Sequence, residues 1–125
     1  MVKKVTKLVY ATFESEHLHH FPGAPALEKP EGVEYNVSFL QHPHRHLFKF
    51  RVDVEVSELN REVEFVLMKR ALQHIVDKEW TYDLGAKSCE MMAFDLCEAV
   101  KKFGWVPKRI EVSEDGENGA VVTWD

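Results

Sequence analysis

Histidine is the residue type most unevenly placed in this chain of 125 residues. Six of the seven copies fall in two clusters, His17, His19 and His20 and then His42, His44 and His46, while His74 stands apart. Imidazole is the commonest side-chain ligand for zinc-like metals, so the clustering itself raises a metal site. Residues i and i+2 of an extended strand project to one side, with side chains roughly 6 to 7 Å apart. From there two rings can converge on one ion at about 2.0 to 2.1 Å each. His44 and His46 have this spacing. His17 closes an earlier alternating segment on its apolar side, so pairing the two segments would bring in a third ring. Three imidazoles leave a further coordination position for water or substrate, as in catalytic zinc sites. The spacing leaves alternatives open: His42 and His44 form an equivalent pair, and His19 or His20 could stand in place of His17. The competing reading is a set of surface histidines hydrogen-bonded to their neighbours.

Glu114 is the second candidate. Ile110, Val112 and Glu114 share one face of a period-two segment, so a carboxylate follows two apolar residues onto the side that should be buried. There it needs a partner or a ligand, unless it turns into solvent before Asp115 and Gly116. Ser88 reads as a helix N-cap, Met91, Met92, Phe94 and Phe103 as core, and His74 as a solvated or capping residue.

The elements that must position these groups follow from periodicity. From Lys4 to His17 the odd positions Val5, Val9, Ala11 and Phe13 are apolar and the even ones largely polar, which predicts a strand. Phe21 to Gly32 carries three prolines and two glycines and reads as a loop. From His42 through Phe48, Phe50, Val52, Val54 and Val56 the even positions form one face of a long second strand. Spacings of three and four among Phe65, Met68, Leu72, Ile75 and Val76 predict a helix from about 62 to 78, and a second runs from Ser88 to a stop at Gly104. Pro107 marks the exit, and strands over Lys108 to Glu114 and Ala120 to Trp124 flank a turn at Asp115 to Gly119. The order is ββααββ, an α+β fold with an antiparallel sheet and two helices packed on one face.

Length allows one domain, 1–125, and 45% hydrophobic residues suffice for a packed core. The formal net charge is −5 and the basic residues are scattered, which argues against nucleic acid as a partner. Cys89 and Cys97 lie eight apart on one helix, about 12 Å at helical rise and too far for a disulfide. A reducing, cytoplasmic setting is expected. The N-terminal MVKKVTKLVYATF alternates instead of forming an apolar h-region, and no apolar run reaches membrane-spanning length, so no membrane partner is expected.

In this order the motifs resemble the 6-pyruvoyltetrahydropterin synthase and 6-carboxytetrahydropterin synthase family over nearly the whole chain. Phe13-Glu-Ser-Glu-His17 is similar to its Phe-x-x-x-His motif, and His44-Arg45-His46-Leu47-Phe48 to its His-Gly-His-x-Tyr segment. Val63-Glu64-Phe65-Val66-Leu67-Met68-Lys69 resembles its Val-Asp-Phe-x-x-Leu-Lys helix start, and Ser88-Cys89-Glu90-Met91-Met92-Ala93 its Thr-x-Glu-Asn-x-x-Ala motif, one residue shorter. Ile110-Glu111-Val112-Ser113-Glu114 is similar to the Val-x-Val-x-Glu strand. The resemblance implies a T-fold (tunnelling fold) and a homo-oligomer with sites at subunit interfaces. It implies zinc on His17, His44 and His46, a pterin or purine-derived ligand gripped by Glu114, and Ser88, Cys89 and Glu90 beside it. The implied activity is that of a lyase or isomerase on a reduced pterin, with zinc as Lewis acid. Two family features are replaced. Leu40 occupies the position of the family's basic cysteine, or Ser38 in the shifted register, and residues 78–85 keep Asp83 without the histidine that follows it in the family. Asp83, His42 or a metal-activated water is then the expected base, and a zinc- and pterin-binding module without turnover is the alternative.

Overall fold

The structure, a computed structural model, describes residues 4–125; the first three positions of the N-terminal reading lie outside the described residues. Strand β1 spans Lys7–His19, β2 His44–Val56, helix α1 Phe65–His74, α2 Cys89–Lys102, β3 Val106–Glu114 and β4 Asn118–Thr123. All neighbours are antiparallel and the sheet order is β1-β2-β3-β4. This is the expected ββααββ order of a T-fold subunit.

The period-two pattern decides the core face. Ala11 and Phe13 of β1, Phe48, Phe50, Val52 and Val54 of β2, and Ile110 and Val112 of β3 point inward. They meet Met68 and Leu72 of α1 and Met92, Leu96 and Val100 of α2 in one cluster, so both helices lie on the same side of the sheet. Fully burying a side chain such as Phe48 contributes roughly 1.5–3 kcal/mol, and the faces of the helices are selected by that burial more than by intrinsic propensity. Glu64 caps α1, accepting from the N–H groups of Val66 and Leu67, and Ser88 Oγ accepts from Met91 N–H at the start of α2. Gly104, with φ +84°, ends α2 in the left-handed conformation that suits glycine.

Several boundaries differ from the sequence expectation, among them the starts of β1 at Lys7 and of β4 at Asn118. β1 runs two residues past His17, because the alternation continues with Leu18 half-buried and His19 buried. β2 begins at His44 because Pro43, which has no N–H, separates it from His42, the cap of a short 3₁₀ turn over Ser38–Gln41. Pro107 lies inside β3 opposite Val54, where the register shifts between Asp53 and Val54, and β4 pairs only from Arg109 onward. α1 passes into a π turn over Ile75–Glu79. Among the described residues no helix is long and apolar enough to cross a membrane, and both cysteines are free and buried.

The β3–β4 hairpin closes tightly at Gly119. A Cβ there would stand 2.0 Å from the carbonyl oxygen of Val112 and 2.6 Å from Ser113 Cα, both backbone atoms. Gly119→Ala should therefore destabilise the fold by about 1–3 kcal/mol. Thermal unfolding should show a midpoint lower by on the order of 5–10 °C; an unchanged midpoint would mean that the hairpin is looser than described.

Candidate metal centre

The antiparallel register gathers the histidines at one end of the sheet. His19 is opposite His44, His17 is opposite His46, and Phe48 lies opposite Glu114. Odd residues of β1 and even residues of β2 and β3 share the inner face, so four imidazoles and one carboxylate emerge on the same side. His19, His44, His46 and Glu114 each offer a ligand atom, and these atoms all lie within 4.8 Å of one another. Ring centroids are 4.7 Å apart for His19 and His44, 5.0 Å for His44 and His46, and 5.4 Å for His19 and His46. The fully buried Phe48 ring forms the floor, 5.0 Å from His19 and 5.7 Å from His46. This group could hold a metal ion.

The outer hydrogen bonds fix which nitrogen of each ring is available. His19 Nδ1 donates to the Lys87 carbonyl at 3.0 Å, His44 Nδ1 to the His42 carbonyl at 2.8 Å, and His46 Nδ1 to Asp115 Oδ2 at 2.7 Å. With Nδ1–H donating outward, Nε2 of each ring is the atom left to face the cluster, the arrangement found in histidines that ligate metals. His19 Nε2 stands 2.9 Å from Glu114 Oε2 and His46 Nε2 stands 3.7 Å from it. The first distance suits an ion pair, but His19 Nε2 is a buried ring atom without a hydrogen-bond partner. A ring nitrogen without a hydrogen-bond partner thus faces a carboxylate oxygen at short range, an arrangement that a cation between the two would relieve. The orphaned nitrogen and the donor set, three imidazoles and a carboxylate, fit zinc or a similar borderline divalent ion. Glu114 Oε1 accepts from Asn118 Nδ2 at 3.0 Å, which orients the carboxylate.

His19, not His17, is the third imidazole. The His17 ring turns toward the end of α1 and the connection that follows. Its Nδ1 is 2.9 Å from the Thr81 carbonyl and 3.2 Å from that of Tyr82, and its Nε2 is 2.9 Å from both Ser15 Oγ and the Val76 carbonyl. Both nitrogens are engaged and the residue is 2% exposed, so His17 has no atom free for an ion. The motif likeness at Phe13 and His17 therefore points to a histidine that the structure does not bring into the cluster. The period of two keeps His19 on the same face as His17, and the contacts to Val76, Thr81 and Lys87 decide between them.

Beside the cluster opens a cleft of about 570 Å³, lined among others by His20, Leu40, Ser88, Cys89, Glu90 and Glu114. The three residues expected beside a ligand, Ser88, Cys89 and Glu90, thus all border it, together with Leu40 at the replaced position. Asp83 does not. It is exposed, its Oδ1 accepts from Gly85 N–H at 2.8 Å, and its backbone bridges to Leu18. His42 is exposed and enters only through its carbonyl. Burial, reinforced by the nearby Glu114 carboxylate, pushes the Cys89 thiol up to about 12, so it is protonated at neutral pH. The hydrogen bonds from His46 and from Leu47 N–H hold the Asp115 carboxyl below the usual range, which keeps it ionised as an acceptor for His46.

No known family model matches the chain, and no curated protein matches it. Among solved structures it is similar to the crystal structure of an uncharacterized protein from Wolinella succinogenes, with a TM-score of 0.61 and 14% identity over 98% of this chain and 100% of that one. The likeness supports the fold over nearly the whole chain.

Two outcomes follow from this geometry. Asp115 has φ +57°, a conformation that Asn adopts readily, so Asp115→Asn should keep the turn while weakening the acceptor for His46. A chelator-competition titration should then show zinc bound about ten-fold more weakly; wild-type affinity would exclude Asp115 as an outer partner. Because the Cys89 thiol titrates near 12, its thiolate population at pH 8 is lower than that of an ordinary cysteine by about three orders of magnitude. Iodoacetamide should spare Cys89 in the native protein and label it after unfolding, read by peptide mass.

Proposed function

We propose that this protein is a zinc-dependent lyase or isomerase acting on a reduced pterin, of the dihydroneopterin triphosphate type, with a substituted general base. The observation that carries the reading is the convergence of three imidazoles, each with its Nδ1 bonded to an oxygen, and a carboxylate at the edge of an open cleft. Zinc held there supplies Lewis acidity to a hydroxyl or carbonyl oxygen on the ligand's side chain. His19, His44 and His46 hold the ion, and Glu114 stands where it can complete the donor set or, as the resemblance implies, meet the N–H groups of the heterocycle. Ser88, Cys89 and Glu90 present the N-terminal turn of α2 to the same space, where backbone N–H groups and a carboxylate can read the ring's edge. A reducing, cytoplasmic setting suits the two free cysteines. A homo-oligomer, with a second copy bordering the cleft, belongs to this reading.

A second reading is favoured by one observation: the cleft contains Leu40, which cannot take a proton, and a Cys89 thiol held protonated. On that reading the chain binds zinc and a pterin or purine-derived ligand without turnover.

Incubating the zinc-loaded protein with dihydroneopterin triphosphate and following pterin absorbance separates the two. The enzyme reading expects turnover that is lost in His46→Ala together with stoichiometric zinc. Tight binding with an unchanged spectrum would reject the enzyme and leave the binding module. Zinc uptake indifferent to His46→Ala would reject both.

A further inference from the structure

We infer that His17 is a positioning residue for the metal centre: it clamps the connection between the two helices against β1, so that the Lys87 carbonyl meets His19 Nδ1. The inference rests on the metal centre proposed above and assigns a role to a histidine that supplies no ligand atom.

Residues 80–87 form a strap along the end of β1. Leu18 N–H donates to the Tyr82 carbonyl at 2.9 Å, Leu84 N–H to the Leu18 carbonyl at 2.8 Å, and His20 N–H to the Gly85 carbonyl at 2.9 Å. These bonds use the edge of β1 on either side of His19, and the strap ends at Lys87, whose carbonyl is the partner that fixes the His19 tautomer. The position of that carbonyl therefore depends on where the strap begins. It begins at the His17 ring. Nδ1 bonds the Thr81 carbonyl, and the ring lies 6.0 Å from Trp80 and 6.3 Å from Tyr82 between centroids. On its other side Nε2 meets Ser15 Oγ and the Val76 carbonyl in the π turn.

Oxygens face both ring nitrogens, the Thr81 carbonyl at Nδ1 and the Val76 carbonyl and Ser15 Oγ at Nε2, so neither nitrogen is left to face a metal. The π turn has a matching role. A widened turn leaves carbonyls without their usual helical partners, and the Val76 carbonyl is turned to the imidazole. Sequence order then becomes functional geometry: His17 fixes the strap's entry, the strap pairs with Leu18 and His20, and its end orients the ring of His19 between them. Loss of the clamp should loosen the outer partner of one ligand, a change that costs about ten-fold in metal affinity.

The test uses the full chain with zinc in a chelator competition, and ¹⁵N spectra of the histidine rings. His17→Ala should retain one zinc per chain with affinity lowered about ten-fold, and His17→Gln, whose amide can donate to Thr81, should recover most of it. Ser15→Ala, a milder change, should lower affinity in the same direction and covers the case in which His17→Ala does not fold. In the wild-type protein zinc should move the Nε2 resonances of His19, His44 and His46 and leave those of His17 in place. Wild-type affinity in folded His17→Ala and in Ser15→Ala would overturn the inference while leaving the metal centre intact. A zinc-induced shift at His17, or loss of zinc stoichiometry in a folded His17→Ala, would make it a ligand and overturn the inference as well. A wild-type chain that takes up no zinc would remove the centre itself, a distinct failure.

Discussion

Three imidazole rings each spend their Nδ1 proton on an oxygen that can only accept it, and this fixes the character of the site. With the Lys87 and His42 carbonyls and the Asp115 carboxylate accepting from Nδ1, the three Nε2 atoms are crowded around Glu114 Oε2. In a half-buried setting over the Phe48 ring, water cannot relieve that crowding at His19 Nε2. A divalent ion among these atoms would be attracted by all four at once.

The rest of the architecture can be understood as the means of holding these acceptors in place. The β3–β4 hairpin supplies three of the parts. Glu114 faces the rings, Asn118 steadies it, and Asp115, in the left-handed conformation, accepts from Leu47 N–H as well as from His46. Asp115 N–H in turn donates to the Leu47 carbonyl at 2.9 Å, so the turn is stitched to the first residues of β2. On the opposite flank the strap of residues 80–87 does the same for β1. The ligands thus sit on strands, while their outer partners come from the segments that close the sheet's end, which places the precision of the site in turns.

Much of this was legible in the sequence, and the parts that were not share a cause. Alternation identified the long strands, the inner face of His44, His46 and Glu114, and the six-element order; spacing and caps identified both helices, with Ser88 and Gly104 at the ends of α2. Period two places His17 and His19 on the same face and cannot choose between them. The choice was made by groups distant in sequence, Val76 and Thr81 drawing one ring and Lys87 the other. The π turn over Ile75–Glu79 has no signature in residue type. Pro107 reads in the sequence as the exit from the second helix, and the irregularity at Asp53 and Val54 accompanies its place inside β3. Asp115 looked like turn chemistry alone, and its bond to His46 became visible only when the hairpin met β2.

The central claim concerns which atoms surround the ion, and X-ray absorption at the zinc edge of the loaded protein tests it most directly. Three imidazole nitrogens and one carboxylate or water oxygen should scatter at about 2.0 to 2.2 Å, with the outer-shell pattern of three rings. A sulfur shell near 2.3 Å, or an all-oxygen shell without imidazole scattering, would contradict it.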